Sequence, residues 1–158
     1  MEEFFMTKTV ADRLAPLGIT MEGLKTWLHN RFIVPSVQKA TGRGTRNIFS
    51  FEDVLFAVVF KRLVDLGIGS REEVASFLSE NIGSSLAGGL RADKPYLVMR
   101  QLFSLNLAIG ERTYILSFEK EIPEALSIDQ NITVLVLNIR ALSKQVESLL
   151  KGGKDNDQ

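Results

Sequence analysis

The 158-residue sequence contains no cysteine. This absence excludes disulfides and thiolate metal sites, and it fits a reducing compartment. No run of apolar residues approaches the roughly 20 that a transmembrane helix needs. The N-terminus, MEEFFMTK, is acidic where a secretory signal peptide would be basic. Together these features predict a cytoplasmic protein without a membrane segment.

The motifs of common enzyme classes are also missing. The sequence has no glycine-rich phosphate loop with a lysine, no GxSxG and no His/Cys cluster, and its acidic residues form no convergent pair. His29 is the sole histidine, and a lone surface histidine is far more often incidental than catalytic or metal-binding. We therefore predict a protein that is not an enzyme and that has neither metal nor cofactor.

The formal net charge of zero conceals an uneven distribution of charge. Residues 8–62 contain nine Lys/Arg and four Asp/Glu, whereas residues 63–158 contain ten and thirteen. A basic front half and an acidic back half predict that one module meets a polyanion and the other does not. The plain alternative is a chance fluctuation of composition.

Capping signals predict helices in the first half of the chain. A Ser or Thr followed three residues later by an acidic residue forms a capping box, and three such pairs occur: Thr9/Asp12, Ser50/Asp53 and Ser70/Glu73. Pro16 and Gly18 end the first helix, and Thr20 caps a second from about Met21 to Asn30. Two short helices joined by a tight turn predict a helix-turn-helix unit.

The stretch from Arg31 to Phe51 contains four basic residues and no acidic one: Arg31, Lys39, Arg43 and Arg46. Gly42 and Gly44 flank Arg43, and Ile48–Phe49 can return as a strand. This pattern is typical of a hairpin, or wing, that presents cations to a polyanion. The alternative is a solvated loop with incidental charge, but beside a helix-turn-helix the pattern favours DNA.

The fold class predicted is mainly α with small β. The predicted strands of the second half are Tyr96–Met99, Thr113–Phe118 and Ile132–Leu137, and a helix capped by Asn138 follows them. Because the 3-4 apolar spacing of that helix extends upstream, a single longer helix from Ile132 is an open alternative. The predicted division is 5–80, a winged helix-turn-helix domain; 81–93, a linker; 94–151, a small α+β module; and 152–158, a disordered tail.

The order of these elements resembles the winged DNA-binding domain of the mercury-resistance-regulator (MerR) family of bacterial transcription factors. The matching stretches are GITMEGLKTWLHNRFIVPS and GRGTRNIFSFEDVLFAVVFKRLVDLGIGSREEV, within about residues 7–80. The chain departs from the family pattern in its longer RLAPLGI turn, in Lys25 for a frequent arginine, and in Leu28 for an acidic residue. A lysine is poorer than an arginine at bidentate contact to guanine.

The resemblance implies that the second helix enters the major groove of double-stranded DNA. In the family this helix begins with a Thr or Ser and carries a basic residue and then an aromatic; the corresponding residues here are Thr20, Lys25 and Trp27. The wing arginine that binds the phosphate backbone in the family corresponds to Arg46. We expect Trp27 to be partly core, with its ring N–H near a phosphate. The candidate DNA-binding residues are Thr20, Met21, Glu22, Lys25, Trp27, His29, Lys39, Arg43 and Arg46.

The resemblance also implies a homodimer on a near-palindromic operator, paired through a C-terminal helix. The apolar stripe that would pair the subunits is Ile139, Leu142, Val146 and Leu149. The cysteines of metal-sensing members are absent, so metal sensing is not expected, and an effector ligand stays unknown. The hypothesis is thus a homodimeric, sequence-specific DNA-binding transcriptional regulator.

Two alternatives remain open at the level of sequence. The winged domain could be an architectural or protein-interaction module, as in phage excisionases and packaging adaptors that resemble this fold. A third option is a regulator whose C-terminal β module binds a small ligand, although the sequence offers no pocket signature for one.

Overall fold

The computed structural model confirms the predicted fold class of mainly α with small β. It describes residues 3–42, 44–81, 96–102, 113–119 and 132–152. The predicted linker beyond Asn81 and the predicted tail beyond Gly152 lie outside these residues. The chain divides into two compact units, Met1–Leu86 together with Leu142–Gln158, and Ala87–Ala141.

The N-terminal segment of the first unit, as far as Asn81, consists of helices and one small sheet. Its elements are β1 (Phe5–Met6), α1 (Thr7–Leu14), a 3-10 turn (Ala15–Leu17), α2 (Met21–His29), β2 (Ile48–Phe49), α3 (Phe51–Asp65) and α4 (Arg71–Asn81). Helix α1 packs on α2, and α3 packs on α4. Helix α3 contributes more buried apolar side chains to this unit than any other described element, and it is therefore the central helix.

The predicted helix-turn-helix order of α1 and α2 is confirmed. Gly18 ends the 3-10 turn in the left-handed region (φ +75°), where glycine carries no steric penalty, and its N–H donates to the Ala15 carbonyl at 2.9 Å. Thr20 caps α2 as predicted, because its Oγ1 accepts the Gly23 N–H at 3.1 Å. Local chemistry alone therefore sets the start of α2.

The predicted capping box of Thr9 and Asp12 is wrong. Helix α1 already begins at Thr7, and its N-cap Met6 makes no side-chain capping bond. Strand β1, which the sequence analysis missed, pairs antiparallel with β2 (Phe5 opposite Phe49) and holds the chain extended up to the first helical residue. Pairing across the sheet, and not a local cap, therefore decides where α1 begins.

The other two predicted capping boxes are confirmed. Ser50 Oγ accepts the Asp53 N–H at 3.1 Å, and the Asp53 carboxylate accepts the Ser50 N–H at 2.8 Å. The same Asp53 oxygen also accepts the N–H of Ser36 at 2.9 Å and its hydroxyl at 2.8 Å. Asp53 thereby ties the start of α3 to the segment that leaves α2.

We expect Asp53→Ala to lower the free energy of unfolding by about 1–2 kcal/mol, because it removes the carboxylate half of the capping box and three hydrogen bonds to Ser50 and Ser36. Urea unfolding followed by circular dichroism measures the change. The matched control is Asp12→Ala, an exposed aspartate of the capping box that does not form, which should change stability by less than about 0.5 kcal/mol. Equal losses in the two variants would contradict this role of Asp53.

The second unit contains a three-stranded antiparallel sheet. Its strands are β3 (Tyr96–Leu102), β4 (Thr113–Glu119) and β5 (Ile132–Asn138), in the order β4-β3-β5. The strand β5 is followed directly by helix α5 (Ile139–Lys151), so the alternative of one longer helix from Ile132 is wrong. The β-branched residues of this segment favour a strand over a helix.

Helix α5 begins as predicted at its cap. The Asn138 Oδ1 accepts the N–H of Ala141 at 2.9 Å. Near its end a hydrogen bond and ion pair with Lys151 lower the pKa of the Glu147 carboxyl below its ordinary value, and the same contact raises the pKa of Lys151.

Among the described residues, no helix has the length and apolar character that crossing a membrane requires.

Candidate nucleic-acid interface

Helix α2 presents one polar strip to solvent. Its four exposed side chains have the i, i+3, i+4, i+7 spacing that places them on one face: Glu22, Lys25, Thr26 and His29. Met21 is half-buried beside this strip, and Thr20 is exposed at the start of the helix. Three sequence candidates, Glu22, Lys25 and His29, thus lie together. We call Glu22, Lys25, Thr26 and His29 the α2 strip.

The opposite face of α2 anchors the helix in the core. Leu24 is fully buried and Trp27 is only 5% exposed. The Trp27 ring meets the Phe60 ring of α3 edge-on, with centroids 5.2 Å apart and planes at 77°. Trp27 was a candidate DNA contact, but its burial leaves almost no ring surface for a ligand. Its position instead indicates that it holds α2 in place.

A hairpin loop, residues 38–48, follows the segment after α2. Two hydrogen bonds close its base, from the Gln38 N–H to the Ile48 carbonyl at 3.2 Å and from the Ile48 N–H to the Gln38 carbonyl at 2.8 Å. Its second arm continues into β2, so the strand predicted at Ile48–Phe49 is confirmed. This hairpin loop is the segment that the sequence predicts to be a wing.

Side chains that sequence reasoning missed shape the turn of the hairpin loop. Thr45 Oγ1 accepts the N–H groups of Thr41 and Gly42 at 2.8 and 3.0 Å. Asn47 Oδ1 accepts the Ala40 N–H at 2.9 Å, and Gly44 occupies the left-handed region (φ +91°). The Thr and Asn preference for local side-chain-to-backbone bonds was the available signal.

The described cations of the hairpin loop are Lys39 and Arg46, and both are exposed. The Arg46 Nη1 lies 3.4 Å from the Met6 Sδ of β1, a weak contact with a neutral thioether that brings no opposing charge. Arg43, the third predicted cation of the loop, lies outside the described residues. The loop therefore presents positive charge on a backbone that internal hydrogen bonds hold in shape.

A groove joins the α2 strip to the hairpin loop. Its volume is about 200 Å³, and its lining is Leu28, His29, Arg31, Ile33, Val34, Pro35, Lys39, Ala40 and Asn47. His29 and Lys39, candidates from separate segments of the sequence, thus come together here. Arg31, which was not among the candidates, lines the groove between them.

The candidate dimerisation stripe is largely used within the single chain. Ile139 and Val146 are fully buried, whereas Leu142 and Leu149 are half-buried. The helix from Leu142 groups with the first compact unit. Leu142 and Leu149 are therefore the members of the stripe that keep surface available for a second subunit.

Similarity to known proteins covers part of the chain. Over 51 residues, 32% of this chain, it is 41% identical to a protein of Mycobacterium bovis and to proteins of two strains of Mycobacterium tuberculosis, all named uncharacterized HTH-type transcriptional regulators. The matched region spans 23% of the length of each relative. No family model matches the chain. The chain is thus similar, over about a third of its length, to helix-turn-helix regulators.

Proposed function

We propose that this protein is a DNA-binding transcriptional regulator. The observation that carries the proposal is the groove lined by both His29 of the α2 strip and Lys39 of the hairpin loop, because it places a surface helix beside a cationic loop. The similarity to HTH-type regulators over 51 residues supports the same conclusion. A polyanion with grooves, namely double-stranded DNA, matches this pairing of helix and charge.

In the proposed complex, α2 enters the major groove. With its side chains an α-helix is about 10–12 Å in diameter, which suits a groove about 12 Å wide. Met21, Glu22 and Lys25 would read base edges, Thr20 would bring the helix start to the DNA, and His29 would contact the DNA at the end of the helix. The hairpin loop would act as a wing, with Lys39, Arg43 and Arg46 on backbone phosphates.

The finer proposal is a MerR-like regulator that acts as a homodimer on a near-palindromic operator. Leu142 and Leu149 of α5 would contribute to the subunit contact through the surface that the single chain leaves uncovered. Light scattering of the full chain tests this part directly. A monomer even at high concentration would remove the homodimer without affecting DNA binding by a single domain.

One observation favours the alternative of a protein-interaction module. Val34 and Val37, on the segment that leads into the hairpin loop, are 54% and 40% exposed. Exposed apolar side chains of this kind are typical of surfaces that bind proteins. Salt dependence separates the two functions, because release of counterions from phosphates makes DNA affinity fall steeply with salt.

We expect single substitutions in the wing and in α2 to have different effects. Arg46→Ala should weaken binding to all duplexes about equally, since phosphate contacts carry no sequence information. Lys25→Ala should instead change the preferred sequence, because Lys25 lies in the centre of the α2 strip. Selection of bound fragments from random duplexes, followed by fluorescence anisotropy with each variant, measures both effects.

The same titrations test the function as a whole. If each subunit neutralises roughly four phosphates, log affinity plotted against log salt should have a slope near −3 to −4 per subunit. An affinity that does not change with salt would reject DNA as the partner. Equal effects of Arg46→Ala and Lys25→Ala on unrelated duplexes would favour an architectural protein over a regulator.

A further inference from the structure

The end of α2 has an unusual backbone at Arg31. Its φ is +59°, and it is the single non-glycine residue with positive φ among the described residues. The Arg31 N–H donates to the Leu28 carbonyl at 3.2 Å, and the Phe32 N–H donates to the Trp27 carbonyl at 2.9 Å. These bonds form a Schellman motif, whose left-handed position is most often glycine.

An arginine is a costly choice at this position. In the left-handed region the Cβ of an L-residue approaches backbone oxygen, a penalty that glycine avoids. At three other left-handed positions of the described chain a glycine is present: Gly18, Gly44 and Gly67. An arginine that holds a strained backbone where a glycine would be relaxed points to a use for its side chain.

The surroundings of Arg31 indicate what that use is. Arg31 is exposed and lines the groove between α2 and the hairpin loop, together with the basic residues His29 and Lys39. None of the nine residues that line this groove is acidic. A groove lined by two cations, Arg31 and Lys39, and by no carboxylate has a positive potential, which a bound anion would neutralise.

We propose that Arg31, with Lys39 and His29, forms a subsite for one backbone phosphodiester of the DNA, between the base-reading helix and the wing. This inference rests on the proposed function and extends it to a residue that no motif indicates. The planar guanidinium of Arg31 suits the paired oxygens of a phosphodiester, and Lys39 adds a second positive charge. The subsite would fix how deeply α2 enters the major groove of the DNA.

The test measures stability and DNA binding on the same full-length variants. Arg31→Gly removes both the backbone strain and the charge, so its melting temperature should rise by about 2–4 °C. Its affinity for a random-sequence duplex should fall roughly five- to tenfold at low salt, and the magnitude of its salt slope should fall by about 1. A more stable protein that binds more weakly is a result that loss of fold cannot produce.

Two further variants and one control complete the experiment. Arg31→Asn keeps a residue that tolerates the left-handed region and should bind as weakly as Arg31→Gly. Arg31→Lys keeps the charge and the strain but loses the planar guanidinium, so its affinity should lie between those of the wild type and Arg31→Gly, without the gain in stability. Arg71→Ala removes an exposed arginine at the start of α4 and should leave both the affinity and the slope near wild type.

The possible failures are distinguishable. If the wild type binds duplex with a steep salt slope and Arg31→Gly and Arg31→Asn match it, the subsite is overturned and the proposed function stands. If the wild type binds no duplex, the proposed function falls and the subsite falls with it. A melting temperature of Arg31→Gly at or below that of the wild type would overturn the claim that Arg31 strains the backbone.

Discussion

Trp27→Ala should lower the free energy of unfolding by about 3–5 kcal/mol, the largest effect on stability that we expect from one substitution in this chain. Trp27 is 5% exposed and its ring meets Phe60 at 5.2 Å, so truncation leaves a cavity between α2 and α3. Because α2 would lose its anchor, DNA binding should be lost together with the fold. Urea unfolding measures the first effect, and anisotropy with duplex DNA the second.

Two variants separate this core role from a direct contact with DNA. Trp27→Phe keeps an aromatic ring in the core and should retain binding, with a smaller loss of stability. His29→Ala removes an exposed side chain from the same helix and should change the free energy of unfolding by less than about 0.5 kcal/mol. If Trp27→Ala were as stable as the wild type yet bound DNA weakly, the result would support the direct contact between Trp27 and DNA that the family resemblance implies.

The double variant Lys39→Ala/Arg46→Ala should have the largest effect on binding, lowering affinity for every duplex about 100-fold at low salt. Each lost phosphate contact should also reduce the magnitude of the salt slope by roughly 0.9, and the two together by about 2. Both residues are exposed, so the free energy of unfolding should stay near the wild-type value. Anisotropy titrations over a range of salt concentrations provide both numbers.

A control with the same change of net charge tests whether position matters. Arg71→Ala/Lys144→Ala removes two exposed cations from α4 and α5. It should lower affinity much less, because neither cation belongs to the α2 strip or to the hairpin loop and neither is proposed to release counterions from a phosphate. Equal losses in the two double variants would show that net charge, and not the hairpin loop, drives binding.

The parts of the fold that were predicted correctly depend on local chemistry. The capping bonds of Thr20, Ser50 and Asn138 each join groups within a few residues of one another, so a short pattern of residue types suffices to predict them. The division of β5 from α5 follows in the same way from β-branched side chains. For the same reason the basic composition of the hairpin loop could be read directly from the chain.

The parts that were missed depend on residues far apart in the chain. Strand β1 and the start of α1 depend on a partner strand more than 40 residues away, beyond the reach of a capping rule. The burial of Trp27 depends on Phe60, although an aromatic on an amphipathic helix could equally have faced a ligand. The groove is lined by residues of the segment 28–47, which are near one another in sequence, but it forms only because the folded chain places the end of α2 beside the hairpin loop.

Residue order alone was thus enough to establish the mainly α class, the helix-turn-helix and a cationic loop after it, because these follow from hydrogen bonds and charges between near neighbours. Which face of α2 is available to DNA, and which cations lie beside that face, was decided by packing. Packing sums weak contacts over the whole core, so no short segment carries enough information to specify it. Arg31 illustrates the difference, because its charge is plain in the sequence while its left-handed backbone and its place in the groove appear only in the folded chain.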